Sequence, residues 1–120
     1  MDARTIALSS IRQAVEAIDA VGSGNSRFMA SRAIHINVLV RNVPGFEAKL
    51  MKTAYNDIGA EVAISHAAYH EEEGSITDMI VMGTVYQHRE VRRILMQNAA
   101  VQSWLKEIEL VTEPAEEIPE

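Results

Sequence analysis

The stretch VRNVPGFEAKLMKTAYNDIGAEV, Val40 to Val62, decides how this chain is read. It leaves an apolar run, turns at Asn42-Val43-Pro44-Gly45, enters an amphipathic segment and exits through Gly59 into another apolar run. Proline has no N–H to lose and suits the first turn of a helix, and Phe46, Leu50, Ala54 and Ile58 then recur every fourth residue. A helix is therefore predicted over Gly45 to Ile58. Upstream, AIHINVLV (Ala33 to Val40) sets Ile34, Ile36, Val38 and Val40 on one parity and His35, Asn37 and Leu39 on the other, as in a strand with one strongly apolar face.

Working outward, Leu8, Ile11, Val15 and Ile18 recur at spacings of three and four, which predicts an amphipathic helix over Ala3 to Val21. GSGNS, Gly22 to Ser26, ends it. EVAISHAAY (Glu61 to Tyr69) and SITDMIVMGTVY (Ser75 to Tyr86) read as a second and third strand joined by the hairpin connection HEEEG. QHREVRRILMQN reads as a second helix, and EIELVTE as a short final strand. The order strand, helix, strand, strand, helix, strand is that of an α+β, ferredoxin-like βαββαβ sandwich preceded by an extra helix. The divisions expected are a helix and linker over 1–26, a domain over 27–112 and an acidic flexible tail over 113–120.

The strands carry apolar residues on both parities: Ile76, Ile80 and Met82 alternate with Met79, Val81 and Val85. Two helices cover only one sheet face. At about 25 cal/mol per Å² of apolar surface, leaving the other face wet forfeits several kcal/mol, so the leading helix or a second subunit should cover it. A homo-oligomer is expected, most simply a dimer, formed through the face bearing His35, Asn37 and Leu39 or through paired leading helices.

Composition narrows the function. The chain has 120 residues, a net charge of −6 and no cysteine. An acidic balance argues against broad nucleic-acid or anionic-membrane surfaces, and the missing thiols remove disulfides, thiolate metal sites and cysteine nucleophiles. No apolar run spans a bilayer and no signal-like segment is seen, so a cytoplasmic location is expected. Ser-His-Asp, Walker and dinucleotide patterns are absent.

The run of hydrophobic strand, NVPG, amphipathic helix and GAEV resembles the opening half of an ACT domain, the small-molecule-sensing regulatory module, with a similarity covering roughly Arg32 to Thr112. The resemblance implies effectors such as amino acids bound between subunits beside the first strand–helix loop, here at Asn42, Val43, Gly45 and Phe46. A small-molecule effector is thus an expected partner. The residues agree in kind: glycine removes a side chain, a helix start offers unsatisfied N–H groups, and an Asn side chain both donates and accepts. The plainer reading is a turn that starts a helix.

Other candidates are weighed beside this corner. Arg89, Arg92 and Arg93 at i, i+3 and i+4 would grip an anion, or make surface ion pairs. His66 and His70, on a strand, stand about 13 Å apart, too far for one ion, so no metal and no cofactor is assigned. Two function classes follow from these residues. One is a non-catalytic sensor binding a small polar metabolite at the corner. The other is a small oligomeric enzyme using His35 or His66 with Tyr69 or Tyr86 as acid–base groups. A structural or assembly subunit without ligand is the third reading.

Overall fold

The structure, a computed structural model, describes residues 1–114. Those residues form a mixed α+β fold of six helices, one 3-10 turn and a three-stranded antiparallel sheet. Helix α1 (Ile11–Ala20) begins later than its periodicity predicts. Ser10 caps it by accepting from the Gln13 N–H, and the Ser9 N–H donates to the Gln13 side chain, so the first apolar residues stay outside. Helix α2 (Ser26–Ala33) was not anticipated. It buries only small residues, Ala30 and Ser31, and leaves Phe28 exposed, so it has little apolar periodicity to read.

Strand β1 (His35–Pro44) runs straight into helix α3 (Gly45–Asp57), as the Pro-Gly corner predicts. Gly59 then adopts φ +82 and the chain enters β2, which is only Glu61–Ala63. The strand predicted to reach Tyr69 instead becomes helix α4 (His66–Tyr69), because the Ser65 hydroxyl accepts from the Ala68 N–H and nucleates a turn. Strand β3 (Ile76–Thr84) ends where Thr84 and Gln87 form a reciprocal capping box that opens helix α5 (Val85–Ile94). A 3-10 turn, Ala99–Val101, leads into helix α6 (Gln102–Thr112). The final strand expected in EIELVTE is thus helical, since Leu105, Ile108 and Thr112, spaced three and four apart, bury one face.

The sheet order is β1-β3-β2, with both pairs antiparallel. One face is dry: Val38, Val40, Val62, Met79 and Val81 pack with Ala48, Met51, Val91, Leu105 and Ile108 from the helices. The opposite face is open. The leading helices do not cover it, because Ile11 and Ala14 of α1 pack with Ala30, Ile34 and Val85 in a separate cluster. Across the open face run two rows set by register, Asn37–Met82–Glu61 and Leu39–Ile80–Ala63. Leu39, Ile76 and Ile80 remain 54%, 66% and 43% exposed.

Candidate functional site

At the corner, β1 loses register between Val40 and Val43, and Asn42 sits in the left-handed region at φ 59. Its N–H donates to the Asp78 carboxylate at 3.1 Å, holding the bulge against β3. Val43 turns inward and is fully buried. The Gly45 N–H donates to the Ser75 carbonyl at 2.8 Å, and a Cβ on Gly45 would stand 2.0 Å from Ser75 Oγ and 3.2 Å from Ser75 O. Ser75 therefore fills the side that glycine leaves open. The glycine is required by two chain segments meeting, and of the four corner residues only Asn42 and Phe46 are exposed.

The same junction forms one wall of an open groove of about 460 Å³. Pro44, Gly45 and Phe46 face Glu71, Glu72, Glu73 and Gly74, with Ile76 between the walls. Pro44 gives α3 no side-chain cap; the Gly45 N–H is taken by the Ser75 carbonyl, and the positive end of the helix dipole stands at this wall. The opposite wall is acidic. Phe46 and Ile76 supply exposed apolar surface, and Ile76 belongs to both the groove and the open sheet face.

The acid–base candidates do not converge. His35 Nε2 pairs with Asn37 Oδ1 at 2.9 Å, and Tyr86 lies beneath the Arg32 guanidinium at 3.8 Å, both near the Thr84 end of β3. His66 and Tyr69 ride on α4, which is tied by the Ser65 N–H to Thr77 at the other end of that strand. Seven residues of strand, about 23 Å, separate the two pairs. Of the arginines, Arg89 and Arg92 hold Glu113, with Arg92 at 2.6 Å, and Arg93 bonds Glu90 at 2.8 Å. Their hydrogen bonds keep the Glu113 carboxyl below its ordinary range, Arg89 contributing most. Arg89 and Arg92 thus clasp the end of α6 to α5, while Arg93 pairs within α5.

A buried histidine and a partly buried tryptophan carry little signal in the sequence. His88 is fully buried; its Nε2–H donates to the Ile36 carbonyl at 2.9 Å and the Tyr55 hydroxyl donates to its Nδ1 at 2.8 Å. Both ring nitrogens are used, so the neutral imidazole bolts α5 to β1 and α3. Burial pushes the His88 pKa down and the Tyr55 hydroxyl up. Trp104 on α6 donates its indole N–H to Glu47 on α3 at 2.6 Å. His88 sits three residues from both Val85 and Val91 on the buried face of α5, but a polar residue at that spacing does not announce its burial, and Trp104 lies on a half-buried helix.

Among the described residues no group of three or more His, Asp or Glu side chains is set to hold a metal ion, and no helix is long and apolar enough to cross a membrane. The chain matches no family model, no curated protein and no solved structure.

Proposed function

We propose that the chain is a non-catalytic regulatory module, dimeric through the open face of its sheet, that holds a small amino-acid-like metabolite in the corner groove at the edge of that face. The observation that carries this reading is the adjacency of the two features through Ile76. The groove walls suit a zwitterion: a carboxylate favours the uncapped start of α3, an ammonium favours Glu71 to Glu73, and a side chain finds Phe46 and Ile76. The open face suits a second copy. In a two-fold pairing about an axis along β3, Leu39 of each copy lies over Ala63 of the other, large against small, and Asn37 over Glu61, donor against acceptor. The resemblance of NVPG and GAEV to the ACT pattern supports the same reading. So does the order β1-α3-β2-α4-β3-α5, which, with the one-turn α4 inside the β2–β3 connection, we take as a ferredoxin-like arrangement with α6 in place of the last strand.

Calorimetric titration with the twenty amino acids and their amine and carboxylate analogues tests the site. Zwitterions should bind and analogues lacking either charge should not. Replacing Glu71, Glu72 and Glu73 together by Gln should abolish the heat by removing the acidic wall, with circular dichroism to show that these exposed substitutions leave the chain folded. Undiminished binding in that variant, or no binding by any zwitterion, would remove the groove as the site. His35 with Tyr86 and His66 with Tyr69 stand at opposite ends of the sheet, so the enzyme reading is divided between two separate His–Tyr pairs.

A further inference from the structure

Read as a strand, His66 and His70 stand about 13 Å apart. In the fold they close one α-turn: the His70 N–H donates to the His66 carbonyl at 3.0 Å. The imidazole centroids are 4.2 Å apart, their planes tilted by 55°. Both side chains are exposed. We propose that His66 and His70, which lie outside the lining of the metabolite groove, form a two-histidine chelate for a borderline divalent transition-metal ion. Histidines at i and i+4 on one helical face present two imidazoles to a single ion, which each nitrogen approaches to about 2.0–2.1 Å. Rotation of the two exposed rings brings one nitrogen of each to that distance. Water fills the remaining positions.

The surroundings set the selectivity. Glu71, Glu72 and Glu73 follow His70 directly and make the local field negative. The opposing cation is Lys49, which is held 3.9 Å over the Tyr69 ring and donates to the Tyr69 carbonyl at 2.7 Å. Tyr69 packs edge-on against His70 at 5.2 Å, so it stands in contact with both. Two imidazoles without thiolate or an oxygen cage favour Cu²⁺ over Ni²⁺ and Zn²⁺, and do not suit Mg²⁺ or Ca²⁺.

The test uses the untagged full chain, titrated calorimetrically with CuCl₂, NiCl₂, ZnCl₂ and MgCl₂. One ion per chain is expected, copper tightest and magnesium silent. His66→Ala and His70→Ala should each remove the binding, and His35→Ala should leave it. Independent monodentate sites would show as half the stoichiometry or unchanged affinity in either single variant, and that result overturns the chelate. A readout without substitution runs beside it: substoichiometric Cu²⁺ should broaden the ring-proton resonances of His66 and His70 together. Broadening of one ring alone, or of neither, is equally fatal.

Discussion

Gly45 and Ser75 meet so closely that a single methyl group decides their fit. Gly45→Ala should destabilise the fold by about 1–3 kcal/mol through overpacking, and adding Ser75→Gly should recover much of that loss. Chemical denaturation of the two single variants and the double variant measures the coupling; additivity would mean that the contact is not the reason for the glycine. The buried Tyr55–His88 bond has its own signature. Tyr55→Phe leaves His88 Nδ1 without a donor and should cost about 1–3 kcal/mol in the same experiment. The pH dependence follows from the sign of the shift. His88 is neutral in the fold with its pKa depressed, while the unfolded imidazole takes up a proton near pH 6.5. Its contribution is therefore complete above about pH 6.5 and declines as the pH falls from there toward the folded value. Denaturation midpoints should drop between pH 7.5 and pH 5 and flatten in a His88→Gln variant. At this scale the sequence marked Gly45 as a turn residue and gave His88 no role, because their partners, Ser75, Ile36 and Tyr55, are thirty or more residues away.

The elements divide by how much of their signal is local. The β1–α3 junction was legible because proline, glycine and a four-residue apolar period agree with one another. Helices α4 and α6 were not, since ISHAAY and EIELVTE satisfy alternation and helical spacing equally well over so few residues. Packing decides between them. In α6 the helix lets Leu105 and Ile108 join Val40 and Val91 in the core, and in α4 the Ser65 cap intervenes before a strand can continue. The groove was half legible for the same reason: its Pro44–Phe46 wall lies in the quoted stretch, whereas the facing acidic wall depends on where α4 returns the chain. The arginine clasp gives an element-scale expectation. Glu113→Gln should loosen α6 from α5 at a cost of about 1 kcal/mol, kept small by solvent screening. Because the Glu113 pKa is depressed, that contribution is present above the unfolded carboxyl value and lost as the pH falls below about 4.5. A thermal melt of the variant should lie below the native one at pH 7 and approach it at pH 3.

On the scale of the whole molecule, surplus apolar surface was readable from the two parities of β3, and its location was not. The sequence left α1 as one possible cover. In the fold α1 instead spends Ile11 and Ala14 on α2 and the head of α5, and Leu39, Ile76 and Ile80 stay open beside the groove. Everything proposed for the regulatory module turns on a second copy closing that face. Ile80 lies at its centre, paired with Leu39 on one side and Ala63 on the other. Ile80→Arg places a charge there without touching the helix-side core. Sedimentation velocity on the full chain and on this variant, with circular dichroism to show that both are folded, is the direct measurement. A dimer for the native chain and a folded monomer for Ile80→Arg are expected; a native chain that stays monomeric at high concentration, or a variant that still dimerises, would contradict the pairing.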